Sequence, residues 1–288
     1  MVPARCPPLF ILLLLVSAEA LRPCHKNSTG QRRSKSLCAG RCGVQPSRSR
    51  RPANMMLKIY GGRESKPRVW PWQLAIHNSA GQVYCGATLI APNWAVTAAH
   101  CIQHNFYLRL LEHDTSRPEG REKRARVRAI YVHPVFDPDT VHHDIALIRL
   151  NKRFKNITPA CLPRPDFRPK RLKEEAVVLG WGKEHTDASF GSNVLKQAKV
   201  PVVPLKRCQK AYPFLDLTKG MLCAGYPDGR IDTCAGDSGG PLMTRHKGYW
   251  TLQGITSFGE GCGPHGSYGI YTRVAYYVPW IEKVMAAT

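Results

Sequence analysis

The chain has 288 residues, with 42 Lys and Arg against 20 Asp and Glu, a formal net charge of +22, and 11 cysteines. No apolar run is long enough to cross a bilayer, and no nucleic-acid reader motif accompanies the positive charge, so neither a membrane span nor nucleic-acid binding is expected.

From the start of the chain, Arg5 precedes the apolar run "LFILLLLV", and small residues at Ala18 and Ala20 suit a signal-peptidase cut. Residues 1–20 are therefore expected to be a signal peptide, and the mature protein to be secreted and extracellular. Removing Cys6 with the signal leaves an even number of cysteines, which in an oxidising compartment favours disulfides over a metal cluster. The sequons at Asn27 and Asn156 fit the same compartment. Residues 22–58 hold ten Lys or Arg and no Asp or Glu, and their Ser, Pro and Gly leave little to build a core. Residues 21–58 are expected to be a basic, disulfide-containing propeptide or light chain. Residues 59–288 carry 31 basic against 19 acidic residues and suffice for one large all-β domain.

Beyond Trp72, short apolar or alternating runs are broken by Gly, Pro, Asn and Asp. Examples, in order, are "QLAIH", "ATLI", "VRAIYVH", "DIALIRL", "AVVLGW", "AKVPVV", "GGPLM", "WTLQGITSF" and "GIYTRV". Evenly spaced short strands of this kind indicate barrels or sandwiches rather than α/β units. Only "VAYYVPWIEKVMAA" reads as helical, with Val278, Ile281, Val284 and Met285 at three- and four-residue spacing. The Pro- and Lys-rich "LPRPDFRPKRLK" is the expected connection between two halves meeting near 160–175.

Three segments carry chemistry: "TAAHC" with His100 and Cys101, "DIAL" starting at Asp144, and "GDSGG" around Ser238. A serine hydroxyl is a weak nucleophile at neutral pH and needs a base within hydrogen-bond reach, a task suited to an imidazole. A carboxylate must then hold the imidazole tautomer and stabilise the imidazolium. With "YGG", "WPWQLAI" and "GWG" in compatible order, residues 59–288 resemble the trypsin-like serine proteases of the chymotrypsin fold. The resemblance implies an all-β fold of two antiparallel six-stranded β-barrels with a C-terminal α-helix. It also implies a serine endopeptidase with Ser238 as nucleophile, His100 as general base and acid, and Asp144 as the orienting carboxylate. No cofactor is required for that catalysis.

The same resemblance distributes further roles. Backbone N–H groups of Gly236 and Ser238 would form the oxyanion hole. Asp237 would receive the α-ammonium of Ile59, released from a zymogen by an activating trypsin-like protease that cuts after Lys58; pairing would raise the ammonium's pKa. Asp232 would form the floor of a substrate pocket walled by Gly259 and Gly269, selecting protein substrates with Arg or Lys at the cleaved bond. Ser257 would be a further substrate-binding residue, and it matches a serine that hydrogen-bonds the triad aspartate. Tyr60, Phe258 and Ala235 depart from the usual valine, tryptophan and glutamine.

The resemblance pairs Cys85 with Cys101, Cys208 with Cys223, and Cys234 with Cys262. A "CG" ahead of the cleavage site implies Cys42 with Cys161, and Cys24 with Cys38 is what remains. Glu112, Glu119 and Glu122 match the carboxylate spacing of the calcium loop of trypsins, with carbonyls of Asp114 and Arg117 completing an oxygen shell, so structural calcium competes with a solvated charged loop. The runs "REKRARVR" and "RPKRLK" are either solvated faces or a patch for sulfated polysaccharide. Two other classes compete with the enzyme: a catalytically silent homologue acting as a scaffold, and a polysaccharide-binding matrix component.

Overall fold

The structure is a computed structural model, and it describes residues 42–46, 62–165, 175–183, 188–229, 234, 236–246, 248–259 and 265–288. The expected signal peptide, Cys24, Asn27, Cys38, Lys58, Ile59, Tyr60, Asp232, Ala235 and Cys262 lie outside the described residues.

Two antiparallel sheets account for the strands. The first comprises β2 (Gln73–His77), β3 (Val83–Ala91), β4 (Trp94–Thr97), β5 (Tyr107–Leu110), β6 (Lys123–Ala125), β7 (Val127–Val132) and β8 (Ala146–Leu150). Its order is β6-β5-β2-β3-β4-β8-β7. Because β6 and β7 occupy opposite edges yet are separated by Arg126 alone, one bent strand closes the sheet into a barrel. The bend is stitched by Asn151, whose N–H donates to Arg126 O at 3.0 Å while its Oδ1 accepts from Arg126 N at 3.0 Å.

The second sheet comprises β1 (Arg63–Glu64), β9 (Glu175–Gly180), β10 (Lys196–Val203), β11 (Met221–Ala224), β12 (Pro241–His246), β13 (Tyr249–Phe258) and β14 (Gly269–Arg273). Its order is β1-β10-β11-β14-β13-β12-β9, and β9 also pairs with β10, which closes six strands into a ring with the two-residue β1 on its rim. Each sheet thus has seven strands rather than six, by the bend at Arg126 in one and the short edge strand in the other.

Burial explains the runs seen in the sequence. All five residues of β2 are buried, as are the last seven of β3, so their centres read as apolar runs rather than as an alternation, although Gln73, His77 and Thr88 are buried with them. β7 lies at the surface and alternates half-buried with exposed residues. Trp72, Leu74, Ile76, Leu108 and Leu110 are at 0 % exposure in the first core, and each such aliphatic side chain contributes roughly 1.5–3 kcal/mol. Ala176, Val178, Val200, Leu242 and Tyr271 form the centre of the second barrel.

Helix α2 (Val274–Ala286) closes the chain and buries Val274, Tyr277, Val278 and Ile281 against the core. A second helix corrects the expectation of one: α1 (Leu205–Ala211) follows Pro204. Seven residues are too short for a visible helical period, and its single buried residue, Cys208, is fixed by a disulfide rather than by an apolar stripe. Strands β4, β5 and β11 were likewise absent from the sequence reading, each being only four residues long.

The segment 42–46 is joined to this body. Cys42 is bonded to Cys161, Gly43 N donates to Pro159 O at 2.7 Å, and Trp250 N donates to Gly43 O at 2.8 Å. Gly43 has φ +65°, and a Cβ there would stand 2.3 Å from Trp250 O, so the glycine after the cysteine is what allows the strand-like approach.

Candidate active site

His100 lies in a 3₁₀ turn (Ala99–Cys101) that follows β4, and Asp144 immediately precedes the strand region of β8. Antiparallel pairing of Thr97 with Ala146 brings these two strand ends together. His100 Nδ1 is 2.8 Å from Asp144 Oδ2, and His100 N donates to Asp144 Oδ1 at 3.0 Å. The Ser257 hydroxyl also donates to Asp144 Oδ2, and Thr272 Oγ1 donates to the Asp144 carbonyl at 2.6 Å. Asp144 is 2 % exposed, so each of these donors replaces lost water. The imidazole is about one-third exposed and faces the cleft.

Ser238 reaches this cleft from the second barrel. Gly86 N donates to Ser238 O at 2.7 Å, and the ordinary Cβ position at Gly239 would stand 2.2 Å from Thr97 Oγ1 and 3.2 Å from Cys101 Sγ. With Gly239 at φ +74°, only a glycine lets the serine segment sit against the segment that carries His100. Cys101 is bonded to Cys85, which locks the histidine turn to β3. No hydrogen bond joins Ser238 Oγ to His100 Nε2 in this geometry; such bonds commonly tighten only with substrate in place.

Along this turn, Asp237 N donates to Cys234 O at 3.0 Å, Gly239 N to Thr256 O at 2.8 Å, and Gly240 N to Asp237 O at 2.9 Å. The N–H groups of Gly236 and Ser238 have no acceptor among the described residues. Gly236 adopts φ +98°. Two backbone donors next to the serine are thereby left uncommitted, as donors to an oxyanion must be.

Asp237 turns away from the cleft into a pocket made by "GWG". Its Oδ1 accepts from Gly182 N at 2.8 Å and its Oδ2 from Cys234 N at 2.9 Å. A Cβ on Gly180 would stand 1.9 Å from Oδ1, and one on Gly182 would stand 2.5 Å from the carboxyl carbon, so both glycines are required by this carboxylate. Burial pushes the Asp237 carboxyl up to about 6, against which the Cys234 and Gly182 N–H bonds act. No cation pairs with it among the described residues. The motif was read in the sequence as a mark of resemblance; the role of its glycines as a cradle appears only in three dimensions.

Gly259 and Gly269 face each other, with a Cβ on Gly259 meeting Gly269 Cα at 3.8 Å. That distance is an ordinary van der Waals contact, so the two backbones lie side by side. Asp232, the expected floor, is outside the described residues. Cys208 is bonded to Cys223, and Cys234 is disulfide-bonded to a partner outside the described residues.

A cluster missed in the sequence surrounds the segment before Asp144. His143 takes φ +56° and stacks on His133 with ring centroids 5.0 Å apart, and the Tyr277 hydroxyl lies 3.2 Å from His143 Nδ1. Burial first, and the neighbouring imidazole second, hold His133 below its ordinary value. This packing ties α2 to the residue before the buried carboxylate. The adjacent "HH" was the only trace of it in the sequence.

The calcium candidates are in one loop but are differently occupied. Glu112 is 3 % exposed, with Oε2 3.1 Å from Arg109 Nη1, while its Oε1 is buried without a hydrogen bond. Glu119 Oε2 is also buried without one. Glu122 spends its oxygens on the N–H groups of Glu119 at 2.5 Å and Arg121 at 2.8 Å. Asp114 accepts from Ser116 Oγ at 2.6 Å and pairs with Arg117 Nε at 2.8 Å. Unpaired carboxylate oxygens are donors of the kind calcium prefers, but Glu112, Glu119 and Glu122 are not among the donor sets gathered within 4.8 Å of one another in the described residues. Among the described residues, the set of three donor atoms gathered within 4.8 Å is Cys85, His100 and Cys101, whose sulfurs are already in a disulfide.

Two closed barrels with a serine, an imidazole and a buried carboxylate at their junction define a serine endopeptidase. Residues 59–281 match the family model described as Trypsin, and the chain belongs to that family. It is 40 % identical over 247 residues to Transmembrane protease serine 7 of Mus musculus, a match covering 81 % of this chain and 29 % of that relative. The chain thus spans less than a third of the length of the relative it matches. No helix among the described residues is long and apolar enough to cross a membrane.

Proposed function

We propose that this chain is a secreted zymogen which, once cleaved between Lys58 and Ile59, hydrolyses peptide bonds after Arg or Lys. Ser238 Oγ attacks the scissile carbonyl as His100 Nε2 takes its proton, and the resulting oxyanion accepts from Gly236 N and Ser238 N. Collapse expels the amine, which leaves with the proton from His100. Water then attacks the acyl-enzyme with His100 again as base, releasing the carboxylic acid and restoring Ser238. Asp144 holds Nδ1 protonated throughout and stabilises the imidazolium.

The observation that carries this reading is the pair of uncommitted N–H groups at Gly236 and Ser238, beside an imidazole already oriented by a buried carboxylate. Asp237 serves the switch, since a buried carboxylate with no cation beside it among the described residues offers the α-ammonium of Ile59 a partner. Asp232 and the facing Gly259 and Gly269 serve selection, and Lys58 itself identifies an activator that cuts after a basic residue. The Cys42–Cys161 bond keeps the leading segment attached after cleavage.

The test is to express the full chain, cleave it after Lys58 and profile it on a peptide library. Expected are secretion into the medium, activity that rises on cleavage, preference for Arg or Lys, and labelling of Ser238 by a fluorophosphonate. A preference for Phe would overturn the pocket assignment, and absence of labelling would identify a silent homologue. Retention in the membrane fraction would overturn secretion, in keeping with the mouse relative's name. Calcium bound through Glu112 and Glu119 would have a structural role: added calcium should raise the thermal midpoint, and Glu119→Gln should abolish that rise.

A further inference from the structure

A second concave surface lies on the first barrel, where β6 meets the turn that follows β8. The cleft has a volume of about 550 Å³ and is lined by Lys123, Arg124, Lys152, Arg153 and Lys155. All five are exposed. The turn itself is rigid: Phe154 N donates to Pro92 O at 2.6 Å, Ile157 N donates to Phe154 O at 3.1 Å, and both side chains are buried in the core. Burying Phe154 forces its neighbours on either side outward, so Arg153 and Lys155 project together. On the opposite wall the Arg124 guanidinium is held 3.8 Å from the Tyr107 ring centroid.

Five cations in the cleft face a single carboxylate. Glu122 is the one carboxylate lining it, and both its oxygens accept backbone N–H bonds within its own loop. No acidic side chain pairs with Lys123, Lys152, Arg153 or Lys155 among the described residues. Arg126 and Arg128 continue the exposed positive charge along the bent strand. Gathering five cations in a concave wall raises the local potential and attracts a polyanion from beyond contact distance.

We propose that this cleft binds a linear sulfated polysaccharide. The chemistry of the lining selects that class over an acidic peptide. Its apolar residues, Phe154 and Ile157, are at 8 % and 5 % exposure and committed to the core, so they offer a peptide side chain no anchor. What remains is a set of five cations lining one cleft, matched by dense negative charge. Asn156, exposed on the same lining and part of a sequon, would place any N-linked carbohydrate over the cleft.

The experiment uses the full-length secreted protein in an Asn156→Gln background, with a heparin oligosaccharide as probe. Lys152→Ala/Arg153→Ala/Lys155→Ala is compared with Lys206→Ala/Arg207→Ala/Lys210→Ala, which removes three exposed cations from α1. The cleft variant should bind at least ten-fold more weakly at about 0.15 M NaCl, and its log Kd should depend on log salt with a slope smaller by about two to three. The α1 variant should stay within two-fold of the parent, and both should keep the parent's amidolytic activity after activation. If the triple variant is poorly folded, Lys152→Gln/Lys155→Gln is measured in its place, with about a five-fold loss expected. Equal losses in the cleft and α1 variants would overturn the proposal in favour of scattered charge. Polyglutamate binding as tightly as heparin of equal charge would overturn the choice of polysaccharide.

Discussion

At the residue scale, the site depends on how completely Asp144 is satisfied. Its side chain takes His100 Nδ1, His100 N and the Ser257 hydroxyl, and Thr272 holds its carbonyl. A hydrogen bond to a buried charge contributes about 1.5–3 kcal/mol, so losing one loosens the imidazole's orientation without removing a reacting group. Ser257→Ala is therefore expected to lower kcat about ten-fold while leaving KM for a reporter peptide within about two-fold. An equal change in KM would place Ser257 in substrate contact instead. Of these partners, Ser257 was legible beforehand through resemblance. Thr272 was not, because it lies 128 residues from Asp144 in the chain and meets it only where β14 passes the start of β8.

At the element scale, disulfides stand in for packing where elements are short. α1 buries one residue, Cys208, and is joined to β11 by Cys208–Cys223 at a separation of 15 residues. Removing that crosslink with Cys208→Ala/Cys223→Ala is expected to cost about 3 kcal/mol in the loop-entropy account. Chemical denaturation under oxidising conditions reads it directly, and an unchanged midpoint would mean that Tyr212 and Leu217 already hold the helix. The runs "LAI" in β2 and "ATLI" in β3 announced themselves because burial on both faces favours apolar side chains, with Gln73, His77 and Thr88 as the buried polar exceptions. The four-residue strands and α1 gave no such pattern, their conformation being imposed by pairing and crosslinking.

At the scale of the whole molecule, Asp237 couples stability to pH. In an unfolded chain an aspartate titrates near 3.9, whereas burial raises this one to about 6. The folded state therefore holds the proton more tightly, and its stabilising contribution is full below about pH 4 and lost as pH rises through about 6. The gap corresponds to about 3 kcal/mol at most. The uncleaved chain carrying Ser238→Ala should lose that stability between pH 4 and 7 relative to the same chain carrying Asp237→Asn as well. After cleavage at Lys58 the α-ammonium should lower the carboxyl again, and the difference should vanish. A difference that persists in the cleaved form would sink the proposed switch.

By itself, the sequence determined an all-β pattern of short strands, the family and with it two β-barrels, and the identities of the residues proposed for chemistry, since each lies within a short contiguous motif. Local spacing carries that much because a motif such as "GDSGG" encodes one turn. Tertiary structure alone decided what holds these motifs in place. It seated Asp237 in a glycine cradle from "GWG", whose Gly182 lies 55 residues away in the chain. It split "REKRARVR" into a wall of the basic cleft and a continuation along the bent strand, and set Lys152, Arg153 and Lys155 opposite. Charge and conformational freedom can be read along a chain, but the cost of burying a carboxylate or crowding cations depends on neighbours that only folding supplies.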